Sequence, residues 1–319
     1  MSSQAPQIVF GGASFGHEFP TQESVQEVLT LLKDLKINQI DTAARYPPTN
    51  HGMSEKLLGA THAASQGLTI STKVYTAGGD GSGELDRASI QKSFSTSLER
   101  LGVDQVDILY VHRSDPTTPL KVQAAAFDEL FKEGKFKRLG FSNFNAEMLQ
   151  KYLDVCDEND FVKPSVYQGD YNVITRGKNF HEETPQHRKD PDICGGRALA
   201  GGFLTGKFTN GQSEGTRFSD NHVLGKFFQS QYGDPKLQQV MKNFESALAP
   251  LGISGSEASL RWVFYHSALR EQDAVILGAS KLAQIKDSLR SISVGPLPDG
   301  IVQAINSIWD VLEESRAQI

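Results

Sequence analysis

The chain lacks the features that mark several large classes of protein. It has only two cysteines, Cys156 and Cys194, too few and too far apart for a disulfide framework, and this usage is typical of a reducing compartment. No apolar run approaches the roughly 18 residues that a membrane-spanning helix needs. The first residues also lack the basic and apolar regions of a secretory signal. These absences predict a cytoplasmic protein that does not enter the membrane.

A long block of charge of one sign is also missing. Thirty-two basic and 38 acidic residues give a net charge of −6, and the two signs are interspersed. A protein that binds nucleic acid or an anionic membrane would carry a concentrated basic patch. We therefore expect neither partner and favour a small-molecule ligand. The sequence does not determine the oligomeric state, and a homodimer is compatible with it.

Strand-like runs rich in Ile, Val and Leu alternate with helical patterns along the chain. These runs are QIVFGG from residue 7, NQIDTA from 38, LTISTKV from 68, VDILYVH from 106, KRLGFSN from 137, PSVYQGD from 164 and DAVILGAS from 273. The helical patterns cover Gln22 to Leu35, Arg87 to Leu101, Lys121 to Glu133, Ala146 to Asp157, Lys236 to Ala249, Glu257 to Ala268, Leu282 to Ser291 and Gly300 to Arg316. Thr21, Asp86 and Asn145 are the predicted N-caps.

This alternation predicts one α/β domain over residues 1–319, a (β/α)8 TIM barrel. A polar, glycine-rich insert at 205–235 is too long for a plain connector and reads as a functional loop. Residues 298–319 read as the C-terminal helix.

The seventh strand is missing from these runs, and the order of the others places it between about residues 190 and 200. The segment HEETPQHRKDPDICGG, residues 181–196, has eight charged or histidine residues and only Ile193 and Cys194 as apolar side chains beyond proline and glycine. We therefore expect an atypical or damaged seventh strand that leaves strands six and eight with unpaired edges. Two explanations stay open: a divergent strand, or a splice or frame error in the predicted gene.

Four polar residues stand where barrel strands end, which is where (β/α)8 enzymes place their active sites. Asp41, Lys73 and His112 follow the second, third and fourth strands, and Tyr46 lies in the loop after the second. Each alone suits an ordinary role as a helix cap, loop aromatic or satisfied polar group. Together on adjacent strands they predict acid–base chemistry.

The chemistry follows from the residue types. A phenol, with an ordinary pKa near ~10, is a weak acid at neutral pH. An ammonium beside a phenol favours the phenolate, and a carboxylate keeps that ammonium charged and placed. Tyr46 is thus the predicted proton donor, supported by Lys73 and Asp41. His112, as a neutral donor, would orient a substrate carbonyl.

Several longer stretches carry a family resemblance. In order, DTAARY, GMSEKLLG, STKV, SLERLGVDQVDILYVH, EGKFKRLGFSNF, VYQGDYN and LAGGFLTGK span nearly the whole chain. They resemble the aldo-keto reductases, and more narrowly the aflatoxin-aldehyde reductase branch with its fungal relatives in secondary metabolism. The resemblance implies reversible hydride transfer between NADPH and an aldehyde or ketone, with Asp41, Tyr46, Lys73 and His112 as the catalytic tetrad.

The resemblance also implies a set of cofactor contacts. Ser142, Asn143 and Gln168 would hydrogen-bond the nicotinamide carboxamide, and Asp41 and Arg197 would also contact the cofactor. The pyrophosphate loop would comprise Leu199, Ala200, Gly201, Gly202, Phe203, Leu204, Thr205, Gly206 and Lys207. The adenosine 2′-phosphate segment would comprise Gly278, Ala279, Ser280, Lys281, Gln284 and Ser288, where Lys281 before a helix favours NADPH over NADH. Gly196 aligns where relatives place an aromatic ring beneath the nicotinamide.

The substrate is predicted from the insert. Relatives that reduce acidic aldehydes tend to carry arginines there, whereas this chain has Gln229 and Gln231. With Phe227, Phe228 and Tyr232 joining His112 as predicted substrate contacts, we expect a bulky apolar or aromatic carbonyl. 

The sequence gives uneven support to three other interpretations. GGFLTGKF, 201–208, is one residue short of a P-loop, because Phe208 replaces the hydroxyl that binds Mg²⁺. His181, His187 and Cys194 match no familiar ligand spacing, so no metal site is predicted. A cofactor-binding regulatory module, similar to potassium-channel β subunits, is the alternative to an enzyme, since such subunits keep the tetrad.

Overall fold

The computed structural model describes residues 5–77, 81–176 and 192–316. Its parallel strands pair in chain order and close into a barrel of eight. The strands are β1 Gln7–Gly11, β2 Gln39–Asp41, β3 Thr69–Lys73, β4 Val106–Val111, β5 Phe136–Ser142, β6 Pro164–Asp170, β7 Asp192–Gly196 and β8 Ala274–Leu277. The predicted (β/α)8 class is confirmed. We call the end of the barrel where these strands finish the mouth.

Helices cover the outside of the barrel. They are α1 Gln22–Asp34, α2 Met53–Ala60, α3 Arg87–Leu101, α4 Leu120–Lys132, α5 Ala146–Asn159, α6 Gly225–Tyr232, α7 Pro235–Leu248, α8 Gly255–Tyr265, α9 Leu282–Ser293 and α10 Asp299–Arg316. The side chains of Thr21, Asp86 and Asn145 each accept a hydrogen bond from the backbone N–H three residues later in the chain. This confirms the three predicted N-caps.

Two helices, α2 and α6, are absent from the predicted set. Each has only eight residues, too short to show a clear amphipathic period. Helix α6 lies in the insert, which is therefore not a simple loop. A short 3₁₀ helix, Ala200–Thr205, leads into the insert from β7.

The seventh strand corrects the sequence prediction. Residues Asp192–Gly196 form β7, which pairs with β6 along its whole length and with β8 at Cys194 and Gly195. Strands six and eight therefore have a partner. The strand lies where it is expected, but the expectation that strands six and eight have unpaired edges is wrong. Parallel pairing uses backbone groups, and the buried side chains of Ile193 and Cys194 supply the apolar contacts. Residues 177–191, which include His181, His187 and most of the charged residues of that segment, lie outside the described part of the chain.

The barrel interior positions the site. Ile108, Tyr110, Val166 and Cys194 pack together inside the barrel. Larger apolar clusters lie between the sheet and the helices, and one of them includes the insert's aromatic residues. Among the helices in the described ranges, none has both the length and the apolar character to cross a membrane.

Candidate active site

A buried ion pair lies at the mouth. Lys73 ends β3 and Asp41 ends β2, and Lys73 Nζ lies 2.6 Å from each carboxylate oxygen of Asp41. Lys73 Nζ also donates to the carbonyl oxygen of Thr42 at 2.9 Å. Burial, the largest single influence, acts to lower the pKa of Lys73, but the Asp41 carboxylate, Tyr46 and Cys194 together raise it above its ordinary value. The ammonium is therefore charged and fixed in position.

The other two predicted catalytic residues lie next to this pair. Lys73 Nζ is 5.0 Å from the centroid of the Tyr46 ring. The rings of Tyr46 and His112 meet edge to face, with centroids 5.7 Å apart. The structure thus brings together all four side chains that the sequence placed at strand ends.

Hydrogen bonds hold the loop that carries Tyr46. The Tyr46 carbonyl oxygen accepts from Ser54 N at 3.1 Å. Ser54 Oγ donates to Gly12 O at 2.8 Å and lies 2.7 Å from Thr42 Oγ1. The start of α2 therefore ties the Tyr46 loop to the turn that follows β1, a role for Ser54 that sequence reasoning missed. Its only signal was its place in GMSEKLLG.

Glu55 is a second supporting residue that sequence reasoning missed. It is fully buried, accepts from Thr72 Oγ1 at 2.6 Å and pairs with Arg100 Nη1 at 3.2 Å. Burial raises the pKa of Glu55, while the hydrogen bonds and the Arg100 charge oppose this rise. This carboxyl group anchors α2 and α3 to the β3 residue that precedes Lys73.

His112 is held in the neutral state. The pKa of His112 lies well below the usual 6.5. Burial is the main cause, and the positive charges of Lys73, Arg113 and Arg45 lower the pKa further. His112 Nδ1 is buried and makes no hydrogen bond to the described residues. A neutral imidazole carries one N–H and can donate it to a carbonyl oxygen.

Two arginines next to the tetrad were also missed. Arg45 precedes Tyr46 and Arg113 follows His112, and within the described ranges neither has an acidic partner within ion-pair distance. Burial, and then the charge of Arg45, lowers the pKa of Arg113. The mouth therefore carries two arginine charges beside the predicted tetrad.

The predicted nicotinamide contacts lie at the ends of β5 and β6. Ser142 and Gln168 are buried, and Gln168 Nε2 donates to Asp41 Oδ1 at 2.8 Å. Asn143 is exposed, with a φ of 58°, and its amide donates to the His112 carbonyl oxygen at 2.9 Å. These three side chains therefore lie beside the tetrad.

The predicted pyrophosphate loop follows β7. Gly201 and Gly202 have φ values of 68° and 105°, a left-handed conformation that favours glycine. The side chains of Ala200, Phe203 and Leu204 are buried, so these residues offer only backbone groups to a ligand. Of the other residues in this loop, Lys207 is exposed. Leu199 and Thr205 are half-buried, and Gly206 is buried. Arg197, with a φ of 49°, pairs with Asp170 at 2.9 Å.

The predicted 2′-phosphate segment follows β8 and opens α9. Gln284 Oε1 accepts from both Ser280 N at 2.8 Å and Ser280 Oγ at 3.1 Å. Lys281 is the exposed residue at the N-cap position. Of the others, Ala279 is buried, Ser288 is half-buried and Gly278 is exposed. Gln284 therefore closes the turn, and Lys281 keeps its charge in solvent.

The aromatic residues predicted to contact substrate divide into two groups. Phe228 and Tyr232 are 3% and 1% exposed and pack with Phe203 and Phe218. Their rings are used in packing the insert, because both lie on the inward face of α6. Phe227 is 47% exposed and is the member of the three that presents its ring to solvent.

The comparisons with known proteins cover nearly the whole chain. Residues 7–310 match the model of the Aldo/keto reductase family. Oxidoreductase sirO of Leptosphaeria maculans is 31% identical, over 97% of this chain and 95% of its own length. Aflatoxin B1 aldehyde reductase member 2 of Rattus norvegicus is 30% identical, over 96% of this chain and 85% of its own. Aldo-keto reductase pigE of Monascus ruber is 26% identical, over 98% and 94%.

Proposed function

Since the chain belongs to the aldo/keto reductase family of oxidoreductases, we propose that it reduces an aldehyde or ketone with NADPH and that Tyr46 donates the proton. The observation that carries this proposal is that Lys73 Nζ lies both 2.6 Å from the Asp41 carboxylate and 5.0 Å from the centroid of the Tyr46 ring. A buried, charged ammonium beside a phenol favours the phenolate that remains after the proton has left.

The surfaces after β7 and β8 fit a dinucleotide phosphate. An ideal Cβ added at Gly202 would meet no atom closer than 3.9 Å, and one at Gly278 would meet none within 4 Å, so backbone there is open to a ligand. Lys207 and Lys281 contribute exposed positive charges beside these glycines. When bound, NADPH supplies the hydride.

The roles of the side chains follow from their positions. Neutral His112 donates a hydrogen bond to the carbonyl oxygen and orients it towards Tyr46. Tyr46 transfers its phenolic proton to that oxygen as negative charge develops there. Lys73 stabilises the resulting phenolate, and Asp41, held by Gln168, keeps Lys73 in place.

We further propose a bulky apolar or aromatic carbonyl as the substrate. The exposed ring of Phe227 and the two glutamines of the insert support this class. So does the similarity to relatives named aflatoxin B1 aldehyde reductases. The charges of Arg45 and Arg113 favour the opposite class, an anionic carbonyl. The ratio of kcat/KM for 4-nitrobenzaldehyde and succinic semialdehyde decides between them, and a strong preference for the carboxylate would overturn our choice.

NADPH oxidation with 4-nitrobenzaldehyde tests the reaction itself. We expect turnover that depends on both NADPH and carbonyl. Tight cofactor binding without turnover, over a panel of carbonyls, would instead support the regulatory module similar to potassium-channel β subunits. A single domain, a cytoplasmic location and a homodimer stay predictions of the sequence.

A further inference from the structure

A cluster of three potential metal ligands lies outside the tetrad. His17 and Glu18 belong to the loop between β1 and α1, and His222 belongs to the insert. His17 Nδ1 lies 3.2 Å from Glu18 Oε2, and the rings of His17 and His222 have centroids 5.8 Å apart. One ligand atom from each residue lies within 4.8 Å of those of the other two.

The donor set suits a transition metal. Imidazole nitrogen with a carboxylate oxygen is a common ligand set for Zn²⁺. A tetrahedral site with bonds of about 2.1 Å needs its ligand atoms roughly 3.4 Å apart, and the pair from His17 and Glu18 already meets that spacing. No two of the three ligand atoms are more than 4.8 Å apart, so the widest separation must close by at most about 1.4 Å. His17 is 41% exposed and can move to close it.

His222 would change a hydrogen bond on binding. Its Nδ1 accepts from the backbone N–H of Leu224 at 3.1 Å, just before α6 begins. A metal on Nδ1 would take that lone pair, and a metal on Nε2 requires a proton on Nδ1. Either way the bond to Leu224 is lost, so the Leu224 amide reports on metal binding.

The charges around the cluster have opposite effects on the binding of a cation. The positive charge of Arg217 acts on His222. The carboxylate of Glu18 attracts a cation, whereas Arg217 repels it. Replacing Arg217 should therefore tighten metal binding.

We propose that His17, Glu18 and His222 bind a divalent transition metal of the zinc class and so fasten the insert to the loop after β1. That loop lies beside the tetrad, because a Cβ on Gly16 would meet Met53 at 2.6 Å and Pro47, the residue after Tyr46, at 3.2 Å. The metal would thus restrain the insert next to the mouth. This site is independent of the proposed reduction and can exist whether or not that reaction occurs.

The test is a calorimetric titration of Zn²⁺ into chelator-treated protein, with the visible spectrum of bound Co²⁺ as a second readout. We expect one equivalent to bind and His17→Ala, Glu18→Gln and His222→Ala each to weaken it more than about tenfold, since outer-shell partners alone are worth 10–100-fold. Arg217→Gln should strengthen it. The matched control is His62→Asn, an exposed histidine with a φ of 51°, which asparagine tolerates.

Each outcome decides the proposal. Binding that the three ligand variants abolish and the control retains supports it, as does a Zn²⁺-dependent shift of the Leu224 amide resonance. Saturable binding that survives all three changes places the metal elsewhere and overturns the proposal, and so does the absence of stoichiometric binding. Circular dichroism of each variant distinguishes a lost ligand from a lost fold. If a variant does not fold, the Leu224 resonance in the unaltered protein still decides.

Discussion

Lys73 Nζ lies 2.6 Å from both carboxylate oxygens of Asp41, and neither side chain is more than 5% exposed. Lys73 Nζ also stands 5.0 Å from the Tyr46 ring centroid. Removing one partner of such a pair leaves the other as an uncompensated buried charge. Changes to this pair should therefore affect both the proposed catalysis and the stability of the fold, and experiments can measure the two effects separately.

Lys73→Met should lower the free energy of unfolding by about 3–5 kcal/mol because it leaves Asp41 buried without its partner. The double variant Asp41→Asn with Lys73→Met should recover part of that loss, while both variants stay almost inactive. Urea unfolding measures the stability, and NADPH oxidation measures the activity. Lys151→Met, which breaks an exposed pair with Glu147, is the control. A single variant as stable as the control would refute the argument.

Tyr46→Phe should lower kcat by about 10²–10⁴, the usual loss when a general acid is removed. NADPH affinity should change little, because the phenol is assigned to the carbonyl. Single-turnover kinetics and fluorescence titration measure the two quantities. Tyr265→Phe, which removes a hydroxyl that donates to Ile292 O on the outside of the barrel, should leave both unchanged. If Tyr46→Phe kept most of its activity, Tyr46 would not be the donor.

Arg113→Gln should raise the pKa of His112 towards its ordinary value. The rise should be partial, since enclosure is the largest cause of the lowered pKa and Lys73 also contributes. His112 is active when neutral, so a higher pKa should move the acid limb of the kcat/KM profile to higher pH. The exposed Lys163→Gln, at the opposite end of the barrel, should leave the limb in place. An identical limb in the Arg113 variant would contradict the electrostatic account.

Gly196→Tyr should tighten NADPH binding several-fold, as an aromatic stacking contact is worth about 0.5–1.5 kcal/mol. The position can accept a side chain, because an ideal Cβ meets nothing nearer than Gly169 O at 3.4 Å. Gly196→Leu adds bulk without a π face and is the matched control. Equal dissociation constants for the tyrosine variant and the unaltered protein would show that no ring is needed there.

Asp115 should make the fold sensitive to acid. This buried carboxylate accepts from Gly83 N, Leu85 N and Thr118 Oγ1 at 3.0, 2.9 and 2.6 Å. Burial acts to raise its pKa, but the hydrogen bonds prevail and hold the pKa below the ordinary 3.8. A lowered pKa in the folded state means stabilisation that is complete above that ordinary value and is lost as pH falls through the folded value.

Asp115→Asn should therefore lower stability by about 2–3 kcal/mol at neutral pH, the scale of hydrogen bonds to a charged group. Below pH 3.8 the difference from the unaltered protein should shrink. Urea midpoints from pH 2 to 7 measure it, with exposed Asp104→Asn as the control. A difference that stays constant over this range would assign Asp115 a merely steric role.

The barrel class could be read from the sequence because its evidence is local. Seven predicted strands and the N-caps Thr21, Asp86 and Asn145 are visible as periodicity and capping chemistry, and all were confirmed. Placing Asp41, Lys73 and His112 at strand ends also needs only the strand boundaries. Adjacent parallel strands then bring those residues to the same end of the barrel.

Tertiary structure decided what depends on neighbours distant in sequence. The chemistry of residues 181–196 argued against a strand, yet backbone pairing with β6 and β8 places Asp192–Gly196 in the barrel. Side-chain direction decided that Phe228 is packed while Phe227 is exposed. The approach of His222 to His17, some 200 residues earlier, arises because the insert folds back over the loop after β1. Periodicity records which residues are apolar, but the three-dimensional fold determines which distant atoms meet.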